Sequence, residues 1–286
     1  MKIKKMKDAR LSRIILHNAL LGVLAIIWLI PIVWLFCTSF SEYSGMNTST
    51  FFPKKWSAIH YVKLFHPDTV SQFPQWFINT FVVACATCVI STLFVLMVAY
   101  ATSIMRFPMR KPLMNIAVIL NLFPGMLAMI AVYFVLKTFN LTNSYAGLIM
   151  VYSASSGLGY LIAKGFFDTI PRALCEAARI DGCSEARIFF QIVVPMSRPI
   201  IVYTVISSFL VPWMDFVYAK MILNSGVSSK YTVAIGLYKM LDKMLINEYF
   251  TQFCAGGVLV SIPISILFMI MQKFYVEGVT GGAVKG

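Results

Sequence analysis

The chain has 286 residues, of which 59% are hydrophobic and 12% charged, with a formal net charge of +13. A soluble domain of this length does not need so much apolar surface, so the composition excludes an ordinary globular enzyme and points to an integral membrane protein. The positive excess does not mark a nucleic-acid binder, because the basic residues gather in the gaps between long apolar runs.

Residues 1–13 form a basic N-terminus with Lys2, Lys4, Lys5, Lys7, Arg10 and Arg13. The run from Ile14 to about Ser39 starts like a signal peptide, but it is too long and lacks a small-x-small cleavage site. It reads as an uncleaved signal anchor and first transmembrane helix, kinked at Pro31, with Trp28 and Trp34 near its outer end. Glu42–Gln75 reads as an outer loop, with Ser57–Phe65 as a surface helix. The second span is about Trp76–Ser103. The third, about Leu113–Leu136, carries Pro124-Gly125 in its middle, where proline breaks the helical ladder. Broken backbone at membrane depth is tolerated where protein or a water-filled path satisfies it. Asn121, Pro124 and Gly125 are therefore pathway candidates, with a simple packing kink as the alternative.

The fourth span, about Tyr145–Ala163, holds Ser153, Ser155, Ser156, Gly157 and Gly159, small residues that permit close helix approach or line a polar path. The fifth is about Ile200–Met221 and the sixth about Phe253–Phe274, with an outer loop, Asn224–Gln252, between them. The fold class is thus an all-α membrane protein of six transmembrane helices. Residues 14–274 form the membrane domain and 275–286 a Gly-rich tail. Of the 24 Lys and Arg, 16 fall in the N-terminus, the 106–111 and 164–198 loops and the C-terminal end. By the positive-inside rule both termini and the 164–198 loop are cytoplasmic. The protein is expected in a bacterial cytoplasmic membrane.

Cysteines stand at 37, 85, 88, 175, 183 and 254. Cys85 and Cys88 form a C-x-x-C inside an apolar span, without the polar support a metal or redox site needs, so they read as small buried residues. His17, His60 and His66 form no ligand cluster with them. No metal, no cofactor and no catalytic residue is expected.

The most informative stretch is the cytoplasmic segment 171–199. Pro171 suits the start of a helix, where its missing N–H costs nothing. Gly182, after Asp181, suits the left-handed residue that ends it. Ser184 suits the N-cap of a second helix. That helix carries Ile188, Phe189, Ile192 and Val193 on one face, with Arg187 and Gln191 off it. Pro195 and Pro199 are expected to end it and begin the fifth span. A polar elbow with one apolar face is suited to docking outside the membrane.

Glu176-Ala177-Ala178, Asp181-Gly182, Phe189, Ile192, Pro195 and Pro199 resemble the EAA loop of ATP-binding-cassette importer permeases. Cys183 stands where Ala is usual and Met196 where Leu is usual. The resemblance implies that Glu176, Ala177, Ala178, Asp181, Gly182, Phe189, Ile192 and Pro195 dock on an ATPase, with Phe189 and Ile192 filling its cleft. Trp213-Met214-Asp215-Phe216 resembles a Trp-Asn-Asp/Glu-Phe stretch of sugar permeases, with Met214 replacing the Asn. Tyr231–Leu237 resembles their outer-loop YTLAVGL. Val276–Gly286 resembles the ending of the second permease subunit of maltose-type importers, which implies that Gly281, Gly282, Lys285 and Gly286 reach between the ATPase subunits. Asn121–Pro124 and Lys164–Phe167 resemble the maltodextrin branch. Galacto- or raffinose-type oligosaccharides stay open. The implied partners are a second permease, two copies of an ABC ATPase, an outside sugar-binding protein and membrane lipid, with no nucleic acid.

The residues speak to the energy source independently. No G-x-x-x-x-G-K-[ST] occurs, so this chain does not itself cradle ATP phosphates. The spans hold almost no carboxylate or His with which to couple an ion gradient; Asp215 is the main exception and a pathway candidate. A gradient-driven sugar carrier, the alternative, also predicts internal inverted repeats, and none is evident.

Overall fold

The computed structural model describes residues 2–46, 50–105, 107–155 and 159–283, with backbone alone for 2–13 and 273–283. The helices in chain order are α1 (Lys2–Ser39), α2 (Ile59–Phe65), α3 (Phe73–Tyr100), α4 (Arg110–Asn121), α5 (Gly125–Thr138), α6 (Tyr145–Ala154) and α7 (Gly159–Phe167). They continue with α8 (Arg172–Ile180), α9 (Glu185–Ile188), α10 (Val194–Met196), α11 (Arg198–Met214), α12 (Val217–Ile222), α13 (Val233–Met240) and α14 (Ile246–Ala283). α3 runs into a π turn, Ala101–Met105, and another π turn, Phe189–Val193, joins α9 to α10.

Three helical segments are long and apolar enough to cross a membrane: Ile14–Ser39, Phe73–Met105 and Ile246–Gln272. The number reaches six if each of three bent helix pairs is one span. Two expectations change here. The third span is no mild kink, because α4 and α5 meet at 107°. Pro124 sits between them with ψ at 115°, an extended value that no helix accommodates. Residues 275–283, expected as a tail, continue the helix of the last span.

The chain divides into two compact units. The first comprises Met1–His66 and Lys239–Leu259. Its fixed point is the corner after α1. The Ser39 hydroxyl donates to Phe36 O and lies 2.7 Å from the Tyr61 hydroxyl. The Thr251 hydroxyl donates to Tyr43 O at 2.6 Å, and the Thr251 N–H to Ser44 O at 3.0 Å. These bonds hold α2 and the start of α14 against the end of α1. Only 6% of the apolar window of α1 is buried, so its surface is left for lipid or another chain.

The second unit, Pro67–Tyr238 and Val260–Gly286, is built on α3. Its residues Thr80, Ala84, Thr87, Ser91, Val95 and Ala99 are buried at helical spacing. Small side chains on one stripe let α11, α6 and α7 approach closely. Thr204 and Ser208 of α11 are buried as well, and the Ser208 and Ser91 hydroxyls lie 3.2 Å apart.

The start of α3 grips the stretch before α13. Trp76 Nε1 donates to Ser228 O at 2.8 Å, and Asn79 Nδ2 to Ser229 O and Tyr231 O. The Val233 N–H donates to Thr80 Oγ1. Gly236 then packs so tightly on the buried Trp76 that an added Cβ would lie 2.1 Å from the ring. Gly236→Ala is expected to destabilise the protein by about 1–3 kcal/mol through overpacking. Gly165→Ala, where an added Cβ meets nothing within 4 Å, is the control and should not lower the melting temperature in detergent.

Candidate functional site: the elbow and its support

The elbow forms as local backbone rules require. Pro171 occupies the N-cap of α8. Gly182 takes φ of +79°, a left-handed value that glycine adopts without Cβ strain. Around it the Gly182 N–H donates to Arg179 O and the Cys183 N–H to Ala178 O, which satisfies the last carbonyls of α8. Ser184 Oγ then accepts the Arg187 N–H at 3.3 Å and caps α9. Pro195 does not end the second helix, which runs on to Met196 and turns at Ser197. The π turn just before Pro195 widens the ladder where a proline ring would otherwise press on the preceding turn. At Ser197 the axis bends by 87° into α11.

The apolar face of the second helix points the other way from expectation. Ile188, Phe189 and Val193 are buried in a cluster of this chain's own residues, with Leu96, Ala99, Tyr100, Phe167 and Ile170. Ile192 packs half-buried against it. Phe189 is 5% exposed and meets the Tyr100 ring edge-on, 5.2 Å between centroids. Phe189 is thus packed within its own chain and fastens the elbow to the spans, with Ile192 half-buried beside it. Ala178 of α8 also turns inward, beside Cys175. What faces outward is Glu176, Ala177, Asp181 and Gly182, together with apolar residues not foreseen: Leu174, Phe190, Met196 and Ile180, the last 87% exposed.

A polar clasp closes the turn. Arg179 Nε donates to Glu185 Oε1 at 2.7 Å and Nη2 to Oε2 at 3.3 Å. The Tyr100 hydroxyl donates to Glu185 Oε2 from the end of α3. The hydrogen bonds from Arg179, then from Tyr100, hold the Glu185 carboxyl below its ordinary value. Glu185 therefore ties both elbow helices to α3, a role with no helical spacing to announce it, since Arg179 and Glu185 stand on opposite sides of the glycine turn.

The pathway candidates do separate jobs. Asn121 Nδ2 donates to Ala117 O of its own helix, and Asn121, Pro124 and Gly125 are exposed at the break between α4 and α5. Asp215 follows α11, accepts the Tyr152 hydroxyl at 2.7 Å and accepts the Ala219 N–H at 2.9 Å, so it caps α12. Its neighbour Met214 is exposed, while Trp213 is buried against Phe77 and Phe209. Gly281 and Gly282 lie in α14, and Lys285 and Gly286 lie outside the described residues. Cys85 and Cys88 are free thiols, and Cys88 Sγ approaches Val205 O at 3.6 Å.

Sequence reasoning missed a cavity of about 210 Å3, mainly apolar, whose lining includes Thr87, Ser91, Tyr152, Thr204 and Ser208. The Thr87 hydroxyl is buried there without a hydrogen-bond partner. Its signal was available: hydroxyls at 80, 87 and 91 share one face of a helix, and 204 and 208 share another.

Comparison with known proteins matches residues 101–281, elbow included, to the family described as binding-protein-dependent transport system inner membrane component. The galactooligosaccharides transport system permease protein GanQ of Bacillus subtilis (strain 168) is 34% identical over 282 residues, covering 98% of this chain and 99% of that protein. The maltodextrin transport system permease protein MdxG of the same organism is 30% identical over 282 residues, covering 97% and 98%. A chain from the crystal structure of a bacterial ABC transporter involved in the import of the acidic polysaccharide alginate shares the fold. The TM-score is 0.77 at 22% identity, over 91% of this chain and 95% of that one.

Phe189→Ala is expected to cost about 3–5 kcal/mol of stability, because it empties a packed site of this chain. The readout is a lower melting temperature of the purified protein without any partner. The Glu185 clasp has a defined pH sense. Its folded-state carboxyl is depressed, so its contribution is complete above the ordinary carboxylate value and is lost as pH falls through the depressed one. The amide protection factors of residues 179–188, which remove the slower intrinsic exchange in acid, should therefore fall as pH drops below the ordinary carboxylate range. Glu185→Gln should show low protection factors at neutral pH with no such further fall.

Proposed function

We propose, from the premise that this chain belongs to the family of binding-protein-dependent transport system inner membrane components, that it is one of two permease subunits of an oligosaccharide importer driven by ATP. It is a multi-pass protein of the bacterial inner membrane and a non-catalytic subunit; ATP hydrolysis is the work of a partner ATPase. The observation that carries the reading is the likeness to oligosaccharide permeases along nearly the whole chain, elbow included.

In this reading the partners are a second permease, two ATPase subunits and an outside sugar-binding protein. The outward side of α8, with Glu176, Ala177, Ile180 and Asp181, meets the ATPase. ATP closes the ATPase pair and draws the elbows together. Because Phe189 and the Glu185 clasp bind each elbow to α3 and α7, the spans move with it, and sugar delivered outside enters the opened path. The substrate is a neutral oligosaccharide of the galacto type, on the strength of the GanQ likeness. The likeness to MdxG, and the Asn121–Pro124 and C-terminal stretches, favour maltodextrins as the second reading.

Two measurements test this. Deleting the gene should abolish uptake of labelled galacto-oligosaccharide, and uptake should stop on ATP depletion yet survive an uncoupler at constant ATP. Uptake that survives ATP depletion and collapses with the uncoupler would overturn the reading in favour of a gradient-driven carrier, and a defect limited to maltodextrin would select the second substrate. Ile180→Asp should leave the melting temperature of this chain unchanged and weaken ATPase binding roughly tenfold, since one apolar side chain would no longer be buried.

A further inference from the structure

We propose that a cleft between the ends of α3, α4 and α7 holds the phosphate of an anionic glycerophospholipid. The cleft has a volume of about 610 Å3. Apart from Asn115, its polar lining comes from the ends of helices. Ser103 is in the last turn of the α3 span, Arg110 and Lys111 begin α4, Lys164 and Asp168 lie at the end of α7, and Arg172 begins α8. That level is where lipid headgroups lie.

The charge in the cleft is unbalanced. Four cationic side chains share it with one carboxylate, Asp168. That carboxylate is already occupied, since Lys164 Nζ donates to one oxygen and Ser103 Oγ to the other. Burial alone would raise the Asp168 carboxyl; the bonds from Lys164 and Ser103, with the charges of Lys164 and Arg110, outweigh it and leave the group below its ordinary value. Arg110, Lys111 and Arg172 have no carboxylate within ion-pair distance among the described residues. Three cations around one recess at the margin of a low-dielectric phase call for an anion of one or more charges.

The shape of the lining tells which anion. Met114 and Val118, with Asn115 beside them, also line the cleft, four and eight residues beyond Arg110, so they stand about 6 and 12 Å further along α4. Leu161 faces them from α7. No described residue of α4 is buried, so this wall is open along its length. Free phosphate would engage the cations and leave the apolar wall bare. A phospholipid engages both, with its phosphate on the cations and an acyl chain along Met114, Val118 and Leu161. The inference rests on the positions of span ends and not on what is transported.

The test uses the assembled transporter, extracted with its partner subunits and exchanged into nanodiscs of phosphatidylcholine with increasing phosphatidylglycerol. Lipids retained after mild detergent extraction are counted by native mass spectrometry, with no sugar present. The wild-type complex should retain phosphatidylglycerol over phosphatidylcholine, and the triple variant Arg110→Gln, Lys111→Gln, Arg172→Gln should lose that preference by on the order of tenfold to a hundredfold. Arg110→Lys with Arg172→Lys should keep it. Equal retention of both lipids by the wild-type complex would overturn the proposal even if the triple variant failed to assemble. So would displacement of the lipid by millimolar inorganic phosphate, which would make the ligand a soluble anion. Crosslinking of Lys111 to an acidic residue of a partner subunit, with no lipid retained, would overturn it in favour of a protein contact.

Discussion

The packing of Phe189 against Tyr100 is the contact on which the elbow depends. It lies in one buried cluster with Leu96 and Ala99 of α3, Phe167 of α7 and Ile188 of α9. Two short helices, α8 and the stretch Glu185–Met196, could not hold a shape by propensity alone, because helices of that length are marginal in water. Their order comes from burial, and the burial partner is the end of two spans. The Glu185 clasp adds direction to this adhesion, since a bidentate guanidinium contact and a phenol hydroxyl together permit one orientation of the turn.

A load applied to α8 therefore has a short route into the membrane. It crosses from Arg179 to Glu185, and from Glu185 and Phe189 to Tyr100. Tyr100 ends α3, the helix against which α6, α7 and α11 pack. The residues that face outward and the residues that bind the elbow to α3 are different sets in neighbouring positions. Ile180 and Glu176 face out, while Cys175 and Ala178 of the same helix face in.

Much of this was legible in the amino acids. Long apolar runs mark the spans by composition, and Pro171, Gly182 and Ser184 mark the elbow because each satisfies a backbone demand that few residues meet. The direction of the Ile188-Phe189 face was not legible. An apolar stripe on a short helix reads alike whether its partner is a neighbouring span or another protein, and here the nearest apolar surface belonged to the same chain. The size of the α4–α5 break was hidden for a related reason: proline dictates that the ladder breaks, and packing decides the angle. The Arg179–Glu185 pair lies six positions apart, a distance that brings side chains together only once the glycine turn exists. The Thr and Ser stripe of the second span carries no charge to mark it, although it forms the seam on which three helices pack.

That seam has a mechanical consequence. The hydroxyls along it are largely satisfied within their own helices: Thr80 donates to Trp76 O, Thr204 to Ile200 O and Ser208 to Thr204 O. Between α3 and α11 the hydroxyl contact is the longer one, 3.2 Å between Ser208 and Ser91. Small side chains with their polar atoms folded back make a surface of low relief and few directional ties. Along this stripe, a small shear of α11 on α3 would break one hydroxyl contact and would leave no backbone group unpaired, with resistance left to the rings at its outer end, Phe77 against Trp213 and Phe81 against Phe209.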